Sequence, residues 1–384
     1  MGTGLPAREP LLRALIDICG PDFARPAGPA DTVAGRLASF AAAPATTHAV
    51  ADTMRLAAQR GLAVIPRGSG SKLDWGTPPP GVDLLLDTRR LDGIWHHDPA
   101  AMTAEIGAGT PVKAIQAALA LRGQRLAADP PSPTATLGGM LALNETGPLR
   151  HRFGTAADQV NYVSYVTRDG DADTSDGENG SPGIAEIDGV ILSAHVRLEP
   201  LPAARRWVTA PVTTPRDIND LVHETVTRRL TPSAIEVDLS AAPPIGVLAV
   251  LLEGDPEEVA ARAATLQHAF GNDATVSPLA PPWWGRYPFT PDDVALRIAV
   301  PTADLQAAVF ALRDVAGMPV PVRGSAGRGV VHAVLPGTLG LERVEGILDG
   351  VRGVLLARGG RCVVIAAPRA ISEELDMADR RDLF

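Results

Sequence analysis

Apolar positions recur at helical spacing over residues 48–61, "HAVADTMRLAAQRG", and predict an amphipathic helix ended by Gly61. The run "LAVIPRG" follows as a short buried strand, and "VDLLLDT" and "AMTAEIGAG" read as further strands. Helix, strand, Gly-rich loop and strand in that order suggest an α/β layer. "PVKAIQAALALRG" predicts another helix, with Thr110 as its cap, Pro111 in its first turn and Gly123 at its end. "DPPSPTATLGGMLALNETGPLRHRFGTAADQV" is dense in Pro, Gly and Thr yet punctuated by apolar residues, the pattern of ordered coil with a short helix. Two strand-like runs, "VNYVSYVTRDG" and "AEIDGVILSAHVRLEPLP", bracket "DADTSDGENGSPG", an acidic, Gly/Ser-rich insert expected to be mostly mobile loop.

The rhythm changes at residues 200–206, "PLPAARR", a natural boundary. Beyond it come the strand "RRWVTAPV", a helix from Pro215 to Arg229, the strands "SAIEVDL" and "IGVLAVLLEG", and a helix capped by Asp255. After the aromatic stretch "PPWWGRYPF" a second round follows: "VALRIAVP", "TADLQAAVFALRDVAG", "RGVVHAVLPG", "GLERVEGILDGVRGVLLARGG" and "RCVVIAAP". This alternation suits an antiparallel sheet covered by helices.

At 384 residues the chain has room for two domains and a sizeable core. Its net charge of −9, with no basic cluster, argues against nucleic acid as a partner. Aromatics make up only 4%, so Val, Leu, Ile and Ala must build the core. Cys19 and Cys362 lack metal-ligand spacing and are expected to be buried spectators in a reducing compartment. The N-terminal stretch lacks the order of a signal peptide and no run is long enough for a membrane span, so a cytoplasmic location is expected.

Two places carry candidate chemistry. Arg67-Gly68-Ser69-Gly70-Ser71 interrupts an apolar run with almost no side-chain bulk after the arginine. Such a bend exposes consecutive backbone N–H groups, as a pyrophosphate cradle requires, although a solvated turn has the same composition. The second place is the aromatic patch of Trp283, Trp284, Arg286 and Tyr287, which walls a pocket or docks a partner. His96 and His97 beside Asp98 form no metal site, because adjacent strand residues point to opposite faces.

"PRGSGSKLDWG", "ATLGGMLALNETGP" and "RFGTAADQV" together resemble, in order and spacing, the flavin-binding subunit of the glycolate oxidase type, within the vanillyl-alcohol-oxidase and p-cresol-methylhydroxylase (PCMH-type) family of FAD-dependent oxidoreductases. The resemblance resumes at "DGVILSAHVRLEPLP", "WWGRYPFTPDDVALRIAVP" and "VRGSAGRGVVHAVL". It implies an α+β fold: an N-terminal segment at 1–29, a PCMH-type FAD-binding domain of two α/β subdomains at 30–205, and an antiparallel-sheet substrate or cap domain at 206–384. It assigns the FAD pyrophosphate to Arg67, Gly68, Ser69, Gly70 and Ser71, with Lys72 beside them. Leu137, Gly138 and Gly139 then lie against the pyrophosphate and ribityl side, and Asn144, Gly147, Arg150, Gly154 and Asp158 match positions further along. Val190 and Ile191 match the strand whose backbone faces the adenine. Serine stands where some relatives carry the histidine that attaches flavin, so FAD is expected to be non-covalent.

In that family the second domain covers the flavin. Arg297, Arg323 and His332 lie on its predicted strands, arginine suited to a carboxylate and histidine to a hydroxyl proton. The implied activity is oxidation of a small 2-hydroxy acid, with electrons passed to a partner subunit or acceptor. The chain departs from the pattern between Thr167 and Gly189, where the family's longer, tyrosine-containing segment is replaced by the acidic insert. From that departure follows the expectation of weakly held FAD, or of a flavin-free, non-catalytic partner subunit that keeps the fold.

Overall fold

Thr46 and Gly61 bound the helix Thr47–Arg60: the Thr46 side chain accepts a hydrogen bond from the Ala49 N–H, and Gly61 closes the helix at φ 62°. The structure, a computed structural model, describes residues 8–176, 183–240, 246–379 and 383–384. It divides into two compact units, one running to Glu145, resuming over Thr155–Leu201 and including Phe384, the other taking Thr146–Gly154 and Pro202–Leu383.

The first unit holds two main sheets. In the smaller, Val64–Arg67 and Phe40–Ala42 flank Leu84–Asp87 in parallel, and Ala24–Pro26 adds an antiparallel edge. Leu84, Leu85 and Leu86 are fully buried, as expected of a parallel strand covered on both faces. The larger sheet is antiparallel, in the order Ala172–Ser175, Val160–Thr167, Gly189–Arg197, Thr103–Gly107, Ile94–Asp98. Helices Val112–Ala120 and Leu137–Ala142 pack Ile115, Leu119, Leu137 and Met140 against its Ile106, Ala194 and Val196.

Two local expectations need correction. Pro111 itself is the N-cap of Val112–Ala120, and Thr110 Oγ1 instead donates to the Gly107 carbonyl at 2.7 Å. The front of the acidic insert is not loop: Ala172–Ser175 is an edge strand, held to Val160–Thr167 and by a Tyr165 hydroxyl bond to Asp173 at 2.9 Å. Residues 177–182 of that insert lie outside the described residues.

The second unit is one eight-stranded sheet, antiparallel at every pairing, in the order Thr275–Ser277, Ala204–Val212, Gly246–Gly254, Ala234–Leu239, Val322–Ser325, Val330–Pro336, Asp293–Ala299, Arg361–Ala366. Helices Pro215–Thr227, Pro256–Phe270, Leu305–Ala316 and Leu341–Leu356 share one core with Val208, Ile235, Val250, Ile298, Val331 and Val364. Alternation then sends Glu236, Asp238, Arg297, Arg323 and His332 to the other face of the sheet. Both cysteines are buried and unpaired.

Candidate functional site

The Gly-rich loop leaves the C-terminal end of the parallel strand Val64–Arg67, where open α/β sheets place their ligands. The Arg67 side chain does not reach out of it. Its guanidinium bonds Asp31 at 3.1 Å and Asp87 at 2.9 Å, and Arg25 holds Asp31 from the other side at 2.6 Å. Burial pushes the Asp31 carboxyl up, but the bonds from Arg25, the Gly28 N–H and Arg67 outweigh it and bring the pKa down to about 2. Arg67 therefore anchors the root of the loop and leaves the backbone as its working surface.

Gly68 and Gly70 are required there for different reasons. A Cβ on Gly68 would stand 2.1 Å from Thr136 Oγ1, and Gly70 sits at φ 81°. The Gly68 contact is what joins the two loops singled out in the sequence, since Thr136 caps Leu137–Ala142 through a bond from the Gly139 N–H. Gly138 is packed nearly as tightly, for a Cβ there would stand 2.8 Å from Ala108 Cβ. Among the described residues, no protein acceptor meets the backbone N–H of Gly68, Ser69, Gly70 or Ser71. Small residues, close backbone approach and unpaired N–H groups are what a pyrophosphate needs, so the residues fit it.

A cavity of about 680 Å³ runs along the strand that leads into this loop, lined by Gly61 to Pro66, by Pro79 and Pro80, and by Asp188, Gly189 and Val190. Its size is that of a cofactor pocket. Val190 thus reaches the cavity, whereas the Ile191 side chain is buried in the core of the larger sheet. Arg168 and Asp169 also line it, so the start of the acidic segment stands at its wall.

Lys72 turns inward. Its ammonium pairs with fully buried Glu145, bonds Ser132 Oγ at 2.7 Å and lies over the rings of Trp75 and Phe384. Burial lowers its pKa against the opposing pull of Glu145. Asn144, at φ 51°, accepts from the Ala157 N–H at 3.1 Å, and Asp158 accepts from the Thr155 N–H at 2.7 Å, so both side chains fix turns. Gly147, Arg150 and Gly154 fall in the stretch that groups with the second unit.

On the second unit the three strand residues come together. His332 is directly opposite Arg297 on one side and Arg323 on the other, and Arg323 is opposite Asp238. They form one row across four strands. Arg323 pairs with Asp238 at 2.6 Å and donates to the Tyr287 carbonyl at 3.3 Å. His332 Nε2 is buried and meets no partner among the described residues. Burial, then the charges of Arg297 and Arg150, push the His332 pKa down to about 3, so the ring is neutral. Arg150, matched in sequence to cofactor positions, thus acts electrostatically on this row.

Thr136, Asp31, Glu145 and Asp238 were not singled out in the sequence. Asp238 left a signal, being a carboxylate in an otherwise apolar strand, "SAIEVDL". His97 Nε2 bonds Gln124 Oε1 at 2.7 Å, and no group of three or more His, Cys, Asp or Glu that could hold a metal ion exists among the described residues. No helix among them is long and apolar enough to cross a membrane.

Residues 38–174 match a family described as FAD binding domain. D-lactate dehydrogenase of Archaeoglobus fulgidus is 27% identical over 217 residues, 53% of this chain and 48% of that protein. Glycolate oxidase subunit GlcE of Escherichia coli is 37% identical over 106 residues, 27% of this chain and 30% of that one. The matched stretches span less than half the length of either relative. Among solved structures, p-cresol methylhydroxylase superposes with a TM-score of 0.74 over 97% of this chain and 92% of its own at 13% identity. An alkyldihydroxyacetonephosphate synthase gives 0.72 over 94% and 81% at 16% identity. At such identities the likeness is one of fold, and the fold is PCMH-type. FAD is the cofactor of the matched domain.

Proposed function

We propose, on the premise that residues 38–174 are an FAD binding domain in a PCMH-type fold, that the chain oxidises a 2-hydroxy acid to the 2-oxo acid and passes the electrons to a partner subunit or other acceptor. The observation that carries this reading is the row Asp238, Arg323, His332, Arg297, with a neutral imidazole between cations. The names of two relatives, a D-lactate dehydrogenase and a glycolate oxidase subunit, support the substrate class, and the second supports a partner.

The Gly68–Ser71 backbone holds the pyrophosphate, and the cavity by Val64, Pro66 and Val190 takes the nucleoside end. When bound, FAD supplies the two-electron acceptor that the oxidation of an alcohol carbon requires. Arg297 binds the substrate carboxylate, with the Arg150 charge adding to the attraction. Arg323, already neutralised by Asp238, holds the row and its overlying loop in place. His332 Nε2 accepts the hydroxyl proton as the carbonyl forms. Burial is the first cause of its lowered basicity and the charges of Arg297 and Arg150 the second; a bound carboxylate offsets only the second.

Anaerobic mixing of the FAD-loaded protein with D-lactate or glycolate tests this. Bleaching of the visible flavin band, slowed about 10²-fold or more in His332→Gln, is expected. A flavin that stays oxidised with every 2-hydroxy acid tried contradicts it.

A further inference from the structure

Ser325 is 8% exposed, and its hydroxyl meets no partner among the described residues. Two residues beyond Arg323 on the strand Val322–Ser325, it shares that side chain's face of the sheet. Glu236 stands opposite it on one neighbouring strand without accepting its proton, and Val330 stands opposite it on the other. His332 comes two residues after Val330, so Ser325 and His332 are diagonal neighbours on paired strands, about 7–8 Å apart. The serine is fixed in place: the Arg328 N–H donates to its carbonyl at 3.3 Å, and the Gly327 N–H donates to the Ile235 carbonyl at 3.1 Å. Ser325 Oγ and His332 Nε2 are thus two buried polar atoms without a partner among the described residues, on one face of one sheet. A buried hydroxyl in that condition destabilises the chain, and alanine in its place would not.

We propose that Ser325 is a substrate contact, its hydroxyl donating to the C2 oxygen of the acid whose proton His332 takes. This rests on the 2-hydroxy acid reading above. The two atoms make different demands on a ligand, since the imidazole nitrogen that takes a proton needs a donor and the serine hydroxyl needs an acceptor. An alcohol oxygen meets both at once: it gives its own proton to Nε2 while a lone pair accepts from Oγ. A carboxylate oxygen only accepts, and leaves the nitrogen unmet. The oxidation balances with the serine unchanged. The C2 hydroxyl proton goes to His332, the C2 hydrogen leaves with its electron pair to the FAD oxidant, and the new C2 carbonyl oxygen keeps the bond from Ser325. A donor already fixed beside that oxygen favours the negative charge that develops on it as the proton leaves.

Calorimetric titration of the FAD-loaded protein with 2-oxopropanoate, and with propanoate, which lacks the C2 oxygen, tests the proposal without turnover. Ser325→Ala is expected to weaken 2-oxopropanoate about fivefold or more and to leave propanoate unchanged, while the thermal midpoint of the ligand-free variant stays level or rises. Ser325→Cys keeps nearly the same volume with a weaker donor and is expected to shift the two acids the same way. Where propanoate is too weak to titrate against the parent chain, the loss of 2-oxopropanoate affinity with the midpoint decides. An equal change for both acids, no change for 2-oxopropanoate, or a lower midpoint in both variants overturns the assignment of Ser325 and leaves the 2-hydroxy acid reading standing. Failure of both acids to bind the parent chain overturns that reading and the serine contact with it.

Discussion

Gly68 and Thr136 lie so close that a methyl group on the glycine would stand 2.1 Å from the threonine hydroxyl oxygen. The contact holds the Gly-rich loop against the segment that begins Leu137–Ala142, and nothing larger than hydrogen fits. Gly68→Ala is therefore expected to cost about 1–3 kcal/mol of stability and to displace the loop. FAD affinity falls with it, and Thr136→Ala in the same chain restores part of both by removing the obstructing oxygen. Denaturant melts and FAD titration of the single and double variants measure this.

Lys72 and Glu145 form a buried pair whose value lies in mutual neutralisation. Lys72→Met leaves a carboxylate buried at 0% exposure and is expected to cost about 3–5 kcal/mol. Replacing both by apolar residues, Lys72→Met with Glu145→Leu, is expected to cost much less. Equal losses in the single and double variants by chemical denaturation would show that packing, not charge, decides this site.

Protonation of His332 works against folding. Its pKa is about 3 in the folded chain and near the ordinary histidine value of 6.5 once unfolded, so between those values the unfolded chain binds more protons. Its contribution to stability is complete above about pH 6.5 and is lost progressively as pH falls toward 3. Melts from neutral to acid pH should fall less steeply in His332→Gln than in the parent chain.

Arg297 is expected to act on substrate binding more than on chemistry. Arg297→Leu should raise KM for the acid by about tenfold or more, with a smaller change in kcat. Steady-state kinetics over a range of acid concentrations separates the two, and a loss confined to kcat contradicts the assignment.

Much of this architecture is legible in the chain because periodicity reports burial. The helix ended by Gly61, the strand "VDLLLDT" and the helical cover of the second sheet all carry an apolar stripe or run that only one arrangement buries. The strand Ala172–Ser175 is not legible, because it is an exposed edge and has no apolar face to alternate with a polar one. Arg297, Arg323 and His332 read as polar residues on strands, but their alignment in one row depends on register, which no local pattern sets. Lys72 illustrates the same limit: its place next to a glycine loop suggests a phosphate ligand, while its partner Glu145 stands 73 positions away. The assignment of Arg150 to the second unit also depends on long-range packing, within a run that reads continuously with the cofactor loops.

The central claim is that the Gly68–Ser71 backbone in an FAD binding domain holds the cofactor of this chain. Titration of the purified protein with FAD, followed by flavin fluorescence and repeated in the presence of ADP and with Gly68→Ala, tests it most directly. Saturable one-to-one binding, displaced by ADP and weakened at least about tenfold in the variant, is the predicted result. No saturable binding, or binding of the same affinity in a folded Gly68→Ala protein, would contradict it.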